Sequence, residues 1–508
     1  MSCVGGGLRA TPGACAMIPQ SDFMVAAPVI PERMAALKTL LATMNRPGAP
    51  GMADPQNTLL PFGEFGTLHF ARFVIVDDQT LGDLALAGHP LPQFYVTLAF
   101  IGDCDGPADE CLATLAESTA ASEGLRQIFS HCAGFDAGTD LLAWMRQHAH
   151  RAAASYVNWI GRTVQQAHAE AALRAALRQE LVRYAESHPH AGDNPRRVRD
   201  HLVRFAEQHP ELVPAEPPPP TGWRIRNALH FAIVPFLLIL SWALAIPAFV
   251  CFPVLSLWIV APFAVLAVLT FLWLVRIAPA TFALLAALGL MLLPLAILCP
   301  PLIVLVLLFL VVLRCYEKNE PEVIPRPTHA HDNELADQED HDVSNQFTVI
   351  GSVKPSAFRR TLLAIILWLT NYGARHVYNR GHLGRIQTIH FARWVFVDDK
   401  RRVLFLSNYD GNRQAYMDDF INKVGWGLNI IFGNGFGYPR TRWMIFDGAK
   451  NELRFKDTNR RHQIPTQVWY KAYPGLTAFD LARNTRVREG LRQHGMSDDA
   501  IRAWLREL

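Results

Sequence analysis

T-I-H-F-A-R-W-V-F-V-D-D-K-R-R-V-L-F-L-S-N-Y-D-G, Thr388 to Gly411, has a partner far upstream, where Thr67 to Asp78 reads T-L-H-F-A-R-F-V-I-V-D-D. The copies agree at Thr, His, Phe, Ala, Arg, Val, Val, Asp and Asp, so the chain carries one strand-forming unit twice. β-Branched and aromatic residues dominate both runs, which predicts strands at Leu68 to Val76 and Ile386 to Val397. Further strands are expected at Phe94 to Ile101, Val403 to Ser407 and Arg442 to Phe446, with a helix over Arg413 to Val424. Asp105-Gly106 and Asp410-Gly411 read as matching turns. Strand, strand, turn and helix make up the front of a ferredoxin-like α+β unit.

Working outward, Pro31 to Asn45 has helical spacing and residues 1–29 read as loose. The first unit is expected over 30–135 and the second over 383–508. Between them lie a charged helical region (136–210), a Pro-rich linker (211–223) and an apolar block (224–316). An acidic, His-containing linker (317–346) and an amphipathic segment (347–382) follow. From Ala228 to Leu313 the only charged residue is Arg276. A span needs about 20 apolar residues, which divides the block into about four, or three if the short last one does not cross: Ala228 to Cys251, Val254 to Val275, Thr281 to Cys299 and Leu302 to Leu313. Basic residues at Arg224, Arg226, Arg276, Arg314 and Lys318 then place both units on the cytoplasmic side of an integral membrane protein. Phe358 to Val377 reads as an interfacial helix on that membrane, with a re-entrant segment or an ordinary core helix as the alternative. The expected fold class is α+β plus transmembrane helices, two ferredoxin-like units forming one intrachain barrel around the inserted block.

Composition excludes several functions. Of 508 residues, 48 are Lys or Arg and 45 Asp or Glu, a balance that makes no case for nucleic acid. Eight scattered cysteines form neither a disulfide framework nor a zinc site. His329, His331 and His341 lack partners at ligand spacing and read as solvated linker. Strict alternation along a strand puts His390, Ala392, Trp394 and Phe396 on one face and Arg393 on the other, and splits His69 from Arg72 in the same way. His and Arg then cannot meet one substrate from one strand. Asn408, Tyr438, Arg440 and Arg442 belong to an aromatic and arginine cluster able to line a pocket for a planar, anionic or amphipathic ligand. No phosphate-binding loop, zinc-protease or nucleophile-elbow motif is present.

The H-F-A-R-[FW]-V…D-D and S-N-Y-D-G runs resemble a group of proteins with ferredoxin-like α+β barrel units. At fold level they resemble the dye-decolourising peroxidase and chlorite dismutase superfamily. Gly102 to Gly106, G-D-C-D-G, matches the G-x-x-D-G pattern of the former, whereas the second copy has Ser407 in place of the first Gly. The resemblance covers the two copies only. It implies haem between an axial His (His390 or His462) and a distal Asp105 or Asp410, helped by Arg393 or Arg440, with His69 and Arg72 at the cofactor. Two functions are thus expected from the sequence. One is a haem-dependent, peroxidase-like oxidoreductase. The alternative is a non-enzymatic module binding a lipid, a hydrophobic or anionic small molecule, or a protein partner at the bilayer surface.

Overall fold

The computed structural model describes residues 19–508 apart from 79, 190–193, 214–220, 223–224, 226–227, 230–299, 324–325 and 379. Two sheets face each other, the first antiparallel except for one parallel pair and the second antiparallel throughout. The first has the order β1 (Gln20–Pro28), β4 (Thr97–Asp105), β3 (Leu68–Val76), β11 (Val468–Lys471), β2 (Gly51–Met52). The second runs β5 (Ala154–Val157), β7 (Ile389–Val397), β8 (Arg402–Asp410), β6 (Ser344–Ser352). The repeated H-F-A-R strands are β3 and β7. Their alternating apolar side chains supply an inner and an outer face. Val74, Val76, Val395, Leu404 and Leu406 pack with Met24, Ile101 and Ile350 between the sheets. Ala71, Phe73 and Ile75 of β3 face a separate helical layer, as do Ala392 and Trp394 of β7.

Each half lends its last strand to the other. β5 follows the first unit in sequence but pairs antiparallel with β7, Ser155 opposite Arg393. β11 ends the second unit but pairs with β3, Trp469 opposite Arg72. The segments leading into these two strands also join the sheets at their other edges, through the bridges Val25↔Ala149 and Val349↔Gln463. From Ala149 to Thr163 the chain runs in register with Gln463 to Thr477, without insertion. Asn158 N donates to His390 O at 2.9 Å and Ala472 N to His69 O at 2.9 Å. Thr163 and Thr477 then cap the two long helices Val164–Ser187 and Ala478–Arg492.

Local readings shift where packing overrides propensity. Residues 20–28, read as loose, form β1 because Phe23, Val25 and Ala27 have a core to enter. β4 runs through Gly102-Asp103-Cys104-Asp105, and the turn waits for Gly106 at φ +82°, as it waits for Gly411 at φ +80° after β8. Gly102 is required in mid-strand: a Cβ there would meet the Phe23 ring at 2.4 Å. The Arg442 to Phe446 strand is two short pieces, β9 (Thr441–Arg442) and β10 (Phe446–Asp447). The linker 317–346 contains the helix His329–Ala336 and the start of β6. Among the described residues no three His, Cys, Asp or Glu are grouped to hold a metal.

The expected membrane architecture is corrected. No described helix is long and apolar enough to cross a membrane. Among the described residues the transmembrane part of the fold class and the integral-membrane localisation are therefore not supported, and what stands is a mixed α+β fold with two sheets. The proposed spans 228–251, 254–275 and 281–299 lie mostly or wholly outside the described residues. The fourth, Leu302 to Leu313, belongs to helix Pro300–Asn319, whose last turns are built into the protein body. There Glu317 is buried, accepting from Thr441 Oγ1, Trp443 N and Met444 N at 2.8–2.9 Å. The expected interfacial segment is helix Ala357–His376, which buries Leu363, Leu367 and Ala374 against the second sheet and Arg359 against Glu320 and Asn434.

Candidate functional site

His69 and Arg72 share a face, as do His390 and Arg393. The strict alternation expected from sequence fails because each strand carries a β-bulge at its histidine: the register slips between Leu68 and Phe70, and between Ile389 and Phe391. One extra residue reverses the parity of everything before it. All four side chains point between the sheets and are buried.

The two arginines are exchanged between halves. Arg72 crosses to the second sheet and donates to Phe347 O, Thr348 Oγ1, Ser407 O and Asn408 Oδ1. Arg393 crosses to the first sheet and donates to Phe23 O, Gly102 O and the Asp103 carboxylate. Asp103 and Asn408 occupy matching positions, D-x-D and N-x-D, and meet at the centre, Asn408 Nδ2 donating to Asp103 Oδ2 at 3.3 Å. Trp469 Nε1 also donates to Asn408, at 3.0 Å. Burial pushes the Asp103 carboxyl pKa upward against the pull of Arg393 and Arg72. It brings the Arg72 guanidinium down to about 9 against the pull of Asp103. Both charges exist at a desolvation cost that only their mutual contacts offset.

Each histidine pairs with the aspartate that ends the neighbouring strand. His69 Nε2 lies 2.9 Å from Asp105 Oδ1, and its Nδ1 lies 3.2 Å from the Tyr473 hydroxyl. His390 Nε2 lies 2.7 Å from Asp410 Oδ1. The other carboxylate oxygens accept from the first N–H of the long helices, Val164 N to Asp105 at 2.9 Å and Ala478 N to Asp410 at 2.7 Å. A carboxylate at a helix N-terminus is held by dipole and N–H together. The same His–Asp–helix arrangement thus occurs in both halves, as a joint between strand and helix.

The acid limb of stability should report on it. Burial opposes charge on Asp410, yet His390, the Ser344 hydroxyl and Ala478 N–H outweigh burial and hold the carboxyl below its usual value. An unfolded aspartate titrates at about 3.9. The stabilisation is therefore full above about pH 4 and is lost as pH falls through the lower folded value. Asp410→Asn should flatten the fall of the urea-unfolding midpoint below about pH 4 while lowering the midpoint at neutral pH.

These residues do not fit a haem. The ring nitrogens of His69 and Nε2 of His390 are already engaged. The space beside them is filled by Phe70, Phe391, Trp469 and Tyr473, with ring centres 5.3–6.1 Å apart. His462 gives Nδ1 to Thr458 O at 2.8 Å and packs its far edge where a Cβ on Gly437 would lie, 2.9 Å away. The remaining sequence-derived candidates take partners elsewhere. Tyr438 is buried and donates to Asn429 Oδ1 at 2.9 Å, Arg440 donates to Glu320 O at 3.1 Å, and Arg442 pairs with Asp447 at 3.4 Å on the surface. The structure joins His69, Arg72, Asp105, His390, Arg393, Asn408 and Asp410, and leaves Tyr438, Arg440, Arg442 and His462 out.

An open space lies beside this joint. A cleft of about 870 Å³ runs between β1 and β5, under the helix Ala357–His376 and beside Ala108–Glu117. Its floor includes Phe23, Asp103, Tyr156 and Phe391, and its rim Arg146, His150, Arg151 and Arg375. Burial and nearby His148 keep His150 below its ordinary pKa. Sequence reading missed this cleft because its walls come from both halves. Only the approximate repeat of Ala149–Thr163 at Gln463–Thr477 could have pointed to it. At the matching place in the second half only about 10 Å³ remains, between Gly51, Gln338, Ser344 and Trp469. Compared with known proteins, the chain matches no family model, no curated protein and no solved structure.

Proposed function

We propose that the chain is a binding module, with its ligand in the cleft between β1 and β5. The observation that carries this reading is the inequality of two related places, one open to about 870 Å³ and one closed to about 10 Å³. A space of the first size suits a ligand of several hundred Å³. The rings of Phe23, Tyr156 and Phe391 in its floor and its three exposed arginines favour a partner with both apolar and anionic character. The repeated His, Arg and Asp side chains serve the fold beneath it.

Anilinonaphthalene sulfonate, apolar and anionic, tests the reading. It is expected to fluoresce on the folded full-length protein with a single saturable phase. Ala149→Trp, an exposed rim position, should weaken that phase at least tenfold, whereas Arg440→Ala should leave it unchanged. Equal dye binding by Ala149→Trp and the parent protein would remove the cleft as the site.

A further inference from the structure

What closes the second cleft is the chain itself. Residues 328–342, T-H-A-H-D-N-E-L-A-D-Q-E-D-H-D, lead into β6 and lie across it. They are held by charge and hydrogen bonds. Arg460 donates to the Asp332 carboxylate, to Asp332 O at 2.8 Å and to Glu339 Oε1 at 2.6 Å. Thr466 N donates to Gln338 Oε1 at 2.9 Å. Asp342 accepts from Lys471 Nζ at 3.1 Å and Gly475 N at 2.9 Å. Within this stretch only His331 and Leu335 are buried. This is an acidic peptide docked in cis.

The open cleft has the corresponding anchor. Arg146 precedes the Ala149 bridge as Arg460 precedes the Gln463 bridge, each near or at the end of the helix that leads there. Here, however, Arg146 turns to Asp109 in a solvent-exposed pair, side chains 49% and 62% accessible. The pair is bidentate, at 2.6–2.7 Å, but water and salt compete with it at this exposure. Arg151 and Arg375 stand exposed on the same rim. Residues 1–18, which precede β1 as 328–342 precede β6, contain no Asp or Glu. The stretch that matches the acidic segment in sequence position thus carries no carboxylate side chain.

We propose that the open cleft takes an acidic segment of a partner protein, in the manner in which the second half takes residues 328–342. Arg146 leaves Asp109 and binds a partner carboxylate. This rests on the cleft being a binding site at all. Charge supplies the attraction, so the contact weakens with ionic strength.

The test uses full-length protein and a fluorescein-labelled peptide with the sequence of residues 328–342, followed by anisotropy at low and moderate salt. Saturable, salt-sensitive binding is expected. Arg146→Glu should weaken it at least tenfold, Asp109→Asn should tighten it, and a peptide with Asn and Gln for its acids should not compete. Unchanged affinity in Arg146→Glu, equal binding of the neutral peptide, or binding only after removal of residues 1–18 would each overturn the proposal. The last would give the cleft to the chain's own N-terminus. If the peptide fails while anilinonaphthalene sulfonate still binds and Ala149→Trp still blocks it, the acidic-segment inference falls and the binding cleft stands. If the dye also fails, both fall.

Discussion

Arg393→Met lowers the unfolding free energy by about 3–5 kcal/mol, the usual cost of removing one partner of a buried ion pair. The midpoint of urea unfolding moves and the slope does not, because the surface exposed on unfolding is unchanged. The cost arises on the other side of the interface. Phe23 O and Gly102 O lose a donor, and the buried Asp103 carboxylate keeps only Asn408 as a donor from the second sheet. Arg393→Lys recovers little. A single ammonium cannot reproduce a planar fork spread over two carbonyls and a carboxylate. Adding Asp103→Leu to Arg393→Met recovers much of the loss by removing the stranded charge. A single substitution costing under about 1 kcal/mol would show that the crossing arginine does not tie the halves together.

Glu170→Gln is the second large effect, again about 3–5 kcal/mol. Glu170 joins the two long helices. It accepts from Arg488 Nε at 2.8 Å, Gln166 Nε2 at 2.9 Å and Thr485 Oγ1 at 2.7 Å, and Arg162 donates to the same Thr485 hydroxyl at 2.9 Å. Burial brings the Arg162 guanidinium down to about 10 while Glu170 pulls it back up. Without the carboxylate two buried guanidinium groups face each other. The double variant Glu170→Leu/Arg488→Leu should lie closer to the parent than Glu170→Gln does, since an apolar replacement leaves one charge fewer to desolvate. Urea unfolding of the parent, both single variants and the double variant measures the coupling.

The duplication was legible because its core is nine identities in a short window, and its strands were legible from β-branched and aromatic content. The pairing of the strands was not. β5 and β11 have four residues each, too few for periodicity to announce, and their partners lie more than two hundred residues away in the chain. The faces of His69 and His390 were misread for a specific reason: period-2 reasoning assumes an uninterrupted ladder, and the bulge sits at the histidine itself. Asp103 was within reach, since D-x-D aligns with N-x-D, but nothing marked it as the partner of an arginine from the other copy. The long apolar run read as membrane spans, a reading based on hydropathy alone, and the helix Pro300–Asn319 shows how an apolar run can end in a buried, hydrogen-bonded Glu317. The open cleft depends on what fails to fill it, and no local pattern records that.

Because β5 completes the sheet of the second half and β11 that of the first, neither half by itself has a complete sheet. The assembly has the form of two subunits whose association is obligatory. Were they separate molecules, their stability would rise and fall with dilution. Carried on one polypeptide, each half meets the other at an effective concentration fixed by the connecting chain. Mass action between the halves then no longer enters, and the two halves are always made in equal number.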